Sequence, residues 1–239
     1  MEQEGKCALC AVQNRICQRQ GGTGPKFCST ALYGDALEQA RAEYAKSEVG
    51  EFARQAAIQE AECYAGRDVS PGYYHPAKPR LQEIMEFARR MGYRKLGVAF
   101  CGGLHQEAAV FCKILTDNGF DVVSAMCKVG GVDKSAIGVE ENEKVRPCSF
   151  EPMCNPIGQA LVLNEAKTQF NILVGLCVGH DSLFLKYAEA PVTVFAVKDR
   201  VLGHNPLAAI YTCDSYYRRF KQGQLKEITV KEANERRGD

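Results

Sequence analysis

Residues 95–127 read KLGVAFCGGLHQEAAVFCKILTDNGFDVVSAMC. Lys95 to Cys101 is a nearly continuous apolar run of strand length, and Asp121 to Cys127 is a second. Between them Ala108, Phe111, Cys112 and Leu115 share one face of a helix over 104–118. Strands that are apolar without alternation are buried on both faces, which is the pattern of parallel strands joined by crossover helices. These residues therefore predict a βαβ unit.

The pattern continues downstream. Asn171–Cys177 (NILVGLC) and Pro191–Lys198 (PVTVFAVK) read as two further strands. Asn155-Pro156 opens a helix to about Thr168, with Asn as cap and Pro in the first turn. A short helix is expected from His180, and His204-Asn205-Pro206 repeats the Asn-Pro start. Residues 128–153, which hold Cys148, form a long irregular stretch. Right-handed crossovers make 2-1-3-4 the simplest strand order, with the first and third strands adjacent at a switch point. The expected fold is α/β: a parallel sheet of four or more strands, Rossmann- or flavodoxin-like, with flanking helices and a small N-terminal cysteine-rich module.

Four segments follow from this reading. Residues 1–30 are the cysteine-rich module, loop-like and punctuated by Gly21, Gly22, Gly24 and Pro25. Residues 31–92 are a helical segment expected to pack on the main domain. Within it a helical pattern over 34–64 is expected to break at Gly50, and 66–79 is a connector with three prolines and two glycines. A helix over 80–91 leads into the first strand. Residues 93–222 are the α/β domain, and 223–239 a peripheral polar tail.

Thirty basic residues against 29 acidic ones create no field that would attract nucleic acid or an anionic membrane. No stretch approaches the roughly 18 apolar residues of a membrane span. The start, MEQEGKCALC, has no apolar leader core, so a cytoplasmic protein is expected. Twelve cysteines in a chain that can build its own core point to metal or redox chemistry rather than to disulfide staples.

Those cysteines form two sets. Cys7, Cys10, Cys17 and Cys28 follow C-x2-C-x6-C-x10-C in a stretch too polar to fold alone, where bound metal would supply folding energy. Four thiolates suit either Zn²⁺ or a [4Fe–4S] cluster, and the spacing leaves both open. The second set is Cys101, Cys127, Cys154 and Cys177, each at a strand end or helix start on the carboxyl edge of the sheet, where ligands collect. Gly102, Gly103 and Gly179 would let backbone approach a bulky cofactor there, which favours an iron–sulfur centre. Cys148 is a fifth candidate. Cysteine is also a common small buried hydrophobe, which is the reading for Cys63, Cys112 and Cys213 and the rival one for Cys127.

Three histidines, His105, His180 and His204, are expected to begin helices at the same edge. With Lys198 and Asp199 they would line a crevice for a small-molecule substrate, or a face for a redox partner protein. A rival chemistry is written in Gly175-Leu176-Cys177-Val178-Gly179, a cysteine form of the strand-to-helix nucleophile elbow. Cys177 would attack, with His204 or His180 as base and Asp199 as the acid. A non-enzymatic metal or redox sensor, or an electron-transfer partner, is the third possibility.

The blocks 98–107 (VAFCGGLHQE), 147–160 (PCSFEPMCNPIGQA), 174–185 (VGLCVGHDSLFL) and 191–211 (PVTVFAVKDRVLGHNPLAAIY) carry a resemblance. They resemble an uncharacterised family of cysteine-rich proteins of anaerobic bacteria and archaea, described as predicted metal-binding. The resemblance implies metal binding through cysteines and assigns no reaction.

Overall fold

The computed structural model describes residues 4–69 and 72–221. The tail assigned to 223–239 lies outside the described residues. The chain divides into two compact units between Lys78 and Pro79.

The first unit begins with a single 3-10 turn, Cys7–Leu9, and an isolated bridge between Arg15 and Thr23. Three helices follow, α1 (Ser29–Leu32), α2 (Gly34–Tyr44) and α3 (Ser47–Glu62). A minimal antiparallel pair, β1 (Tyr64–Ala65) and β2 (His75–Pro76), closes the unit. The break in the helical stretch falls at Ala45 and Lys46, not at Gly50. Gly50 lies inside α3, and a Cβ there would stand 2.6 Å from the Tyr44 carbonyl oxygen. The glycine permits a close approach between two helices and does not end one.

The second unit starts with α4 (Arg80–Arg90), which buries Ile84, Phe87 and Ala88. Then come β3 (Lys95–Phe100), a 3-10 turn at Gly102–Leu104, α5 (His105–Asp117) and β4 (Asp121–Met126). Beyond the irregular stretch lie α6 (Pro156–Glu165), β5 (Phe170–Leu176), α7 (His180–Tyr187) and β6 (Val192–Val197). Two short helices, α8 (Leu207–Tyr211) and α9 (Arg218–Lys221), complete the described chain. Among the described residues no helix is long and apolar enough to cross a membrane.

The four strands of this unit form one all-parallel sheet in the order β4-β3-β5-β6, the 2-1-3-4 order expected from the sequence. Helices cover both faces. Phe87 of α4 meets Phe170, and Phe111 of α5 meets Phe195 with ring centres 4.7 Å apart. On the other face Ala160 and Leu163 of α6 and Phe184 of α7 pack with Ala99, Ala125 and Leu173. Asn155 caps α6 by accepting from the Gly158 N–H, with Pro156 in the first turn.

Two glycines set the packing of the sheet. A Cβ on Gly97 would lie 2.0 Å from Oδ1 of Asn171, a fully buried side chain held by Thr168. Gly175 has φ of +75° and sits where the β5–β6 register slips, and a Cβ there would meet Leu104 at 2.1 Å.

Candidate functional site

The strand ends place Cys101, Cys127 and Cys177 at the carboxyl edge of the sheet, one residue beyond β3, β4 and β5 respectively. Cys154 joins them from the segment before α6, because the Asn155 N–H donates to the Cys127 carbonyl at 2.7 Å. Cys101 and Cys127 are buried in the cluster under α6 and α7, and Cys154 packs against it, half-buried. The buried-hydrophobe reading and the site reading of Cys127 thus describe the same position. Gln159 of α6, fully buried, ties the strand ends together, donating from Nε2 to the carbonyls of Phe100 and Ala125.

Three of the four sulfurs accept from a donor that favours the thiolate. Gly102 N–H reaches Cys127 Sγ at 3.2 Å, Lys128 Nζ reaches Cys154 Sγ at 3.4 Å, and Arg200 Nη2 reaches Cys177 Sγ at 3.1 Å. Cys127 and Cys154 titrate as a pair. Hydrogen bonding from the Cys127 thiol is the largest effect on Cys154 and outweighs the cost of its partial burial. Lys128 and His180 add positive charge, and the Cys154 thiol falls to about 5. The same hydrogen bond pushes Cys127 up, with desolvation adding to it, so Cys127 keeps its proton. The first proton of the pair leaves early and the second late.

The other expected groups are arranged less closely. His105 and His180 begin α5 and α7 as expected, but His204 does not begin a helix. It sits in a left-handed turn (φ +67°) three residues before α8, and its Nδ1 accepts from the Asp199 N–H at 3.1 Å. The Asp199 carboxylate accepts from the N–H groups of Val201 and Leu202. The Asp199 backbone, and not its carboxylate, thus holds His204 Nδ1. The positive-φ backbone around Cys177 falls on Gly175 and Gly179, not on the cysteine as a strained elbow would place it. Cys148 is exposed, with its N–H donated to Glu141.

In the first unit Cys28 is buried while Cys7 and Cys17 are exposed, and the Cys7 thiol donates to Ser29 Oγ at 3.1 Å. Among the described residues no three His, Cys, Asp or Glu side chains are grouped to hold one metal ion. As arranged, neither Cys7, Cys10, Cys17 and Cys28 nor Cys101, Cys127, Cys154 and Cys177 make up such a group. Cys63 is a core thiol, donating to the Gln59 carbonyl, and Cys112 and Cys213 are half-buried.

Sequence reasoning missed Lys128, Arg200 and Gln159 as parts of the site. Their adjacency to Cys127, to the Lys198-Asp199 pair and to the Asn-Pro helix start is the only trace they leave in the sequence.

Residues 28–195 match the model of the family described as "Protein of unknown function (DUF1847)", and the chain belongs to that family. It is 54% identical over 144 residues to an uncharacterised protein of Methanocaldococcus jannaschii, covering 60% of this chain and 72% of that protein. No solved structure matches the chain.

Proposed function

We propose that this member of the family is a redox protein working through thiolates at the carboxyl edge of its sheet, with Cys154 as the reacting sulfur and Cys127 as its partner. The observation that carries this reading is the meeting of Cys127 and Cys154 at one edge, tied by the Asn155 N–H to the Cys127 carbonyl, with the Gly102 N–H on one sulfur and Lys128 Nζ on the other. These surroundings favour the thiolate at Cys154 and the thiol at Cys127. A thiolate attacks a disulfide, and a neighbouring thiol resolves the mixed disulfide. Cys154 would displace one sulfur of a partner disulfide. Cys127 would pass its proton to that leaving sulfur and then displace the other. The products are a Cys127–Cys154 disulfide, one thiol and one thiolate, with two electrons moved to the partner. The substrate is a small-molecule disulfide or a redox partner protein. Twelve cysteines in a chain that builds its own core suit a reducing compartment, and a cytoplasmic setting goes with this reading.

A second reading is favoured by the gathering of Cys101, Cys127, Cys154 and Cys177 at one edge and by the Gly102 N–H donated to a sulfur. Iron–sulfur ligands accept such bonds, and a [4Fe–4S] cluster on these thiolates would supply one-electron transfer. Either that cluster or zinc at Cys7, Cys10, Cys17 and Cys28 would require the side chains of its set to draw together.

Anaerobic purification with visible spectroscopy and iron, zinc and acid-labile sulfide assays separates the two readings. Colourless protein that gains a Cys127–Cys154 disulfide on mild oxidation supports the dithiol. Broad visible absorption with about four irons per chain supports the cluster. A colourless protein whose Cys127 and Cys154 stay reduced under oxidation contradicts both.

A further inference from the structure

Lys198 starts at the end of β6, where its N–H pairs with the Leu176 carbonyl at 3.1 Å. Its side chain then crosses two strand ends. The stem passes over Gly175 of β5, with Cδ 3.9 Å from where a Cβ would stand, and the amine arrives over Gly103 beyond β3. There Nζ is 3.1 Å from a Cβ position on Gly103, and Cys101 Sγ is 3.9 Å from the same point. The β3–β5 junction is the switch point of the sheet, where crevices form.

This amine has no hydrogen-bond acceptor and no carboxylate partner among the described residues. Holding a lysine side chain in one path costs conformational entropy, which an ion pair would normally offset. Two glycines without side chains leave room for that path. Arg200, two residues beyond Lys198, is exposed and reaches the neighbouring strand end, with Cys177 as its one hydrogen-bond partner among the described residues, so most of its donors face solvent. Among the described residues no acid of this edge makes an ion pair with either cation: the Asp199 carboxylate accepts from the N–H groups of Val201 and Leu202, and that of Asp181 from the Ser182 N–H.

We infer that Lys198 and Arg200 form a binding site for an oxyanion group, carboxylate or phosphate, which brings an anionic substrate to the thiols at the switch point. Arg offers a planar fork of donors and Lys a point charge, a combination that recognises either group. The inference rests on the edge thiols being the working groups.

The test compares alkylation of the intact protein by iodoacetate, which is anionic, and iodoacetamide, which is neutral, with each cysteine followed by peptide mass spectrometry. Exposed Cys17 serves as the internal reference. At Cys177 the iodoacetate-to-iodoacetamide rate ratio should exceed that at Cys17 by about fivefold or more, the effect of local positive charge. Lys198→Met, which keeps the stem, and Arg200→Met should each lower the ratio toward that of Cys17. Inorganic phosphate or succinate should slow iodoacetate at Cys177, and whichever does so more strongly names the group. Equal ratios at Cys177 and Cys17 in the wild-type protein would overturn the inference, as would a raised ratio that Lys198→Met leaves unchanged. The thiolate reading is judged separately, by iodoacetamide at Cys154, so either can fail alone.

Discussion

Lys128 shows how a single side chain tunes this site. Its amine donates to the Pro152 carbonyl at 2.6 Å and to Cys154 Sγ at 3.4 Å, which holds a positive charge against the sulfur. Lys128→Met should raise the pH at which Cys154 alkylates, and Cys127→Ala should raise it further, because the Cys127 hydrogen bond is the larger effect. Rates of iodoacetamide labelling against pH check both. Gly97 tests packing instead of chemistry. Gly97→Ala drives a methyl into Asn171 and Leu163 in the middle of the sheet and should cost about 1–3 kcal/mol, read by denaturant unfolding. The cysteines themselves were legible in the sequence, because strand ends are visible where apolar runs stop. Their partners were not, because which amine meets which sulfur depends on loop conformation. Asp199 and His204 illustrate the converse: the right residue types in the right order, each occupied by its own turn.

Among the elements, the strands, the flanking helices and the strand order follow from apolar runs and crossover handedness, and both are local or topological properties. The stretch 128–153 does not, since its order comes from ion pairs at irregular spacing. Lys144, with its side chain nearly buried, bridges Asp133 and Glu141, and Lys134 pairs with Glu151. Asp133 also accepts from the N–H groups of Ser135 and Glu151, which hold its carboxyl well below the usual range. A depressed carboxylate stabilises the fold above its unfolded value, about pH 4, and that contribution is lost as pH falls below it. Asp133→Asn should therefore loosen this element at neutral pH. Hydrogen exchange should rise at Ser135 and Glu151 while β3 and β5 keep their protection, and unchanged exchange would contradict this role. The same segment carries Cys154 to the edge, so its order and the site's geometry are linked.

At the scale of the molecule, a parallel sheet collects its strand ends on one edge, and this chain spends that edge on sulfur and positive charge. Family membership adds relatives and no reaction, so the account stands on the thiols. Its central claim is that Cys154 is a thiolate at neutral pH. The most direct measurement is the rate of iodoacetamide alkylation of Cys154 in the intact, reduced protein from pH 4 to 10. Because only the thiolate reacts, the account expects the rate to rise through a midpoint near 5 and to be level by neutral pH. A midpoint near 8.5, that of an ordinary thiol, would contradict it.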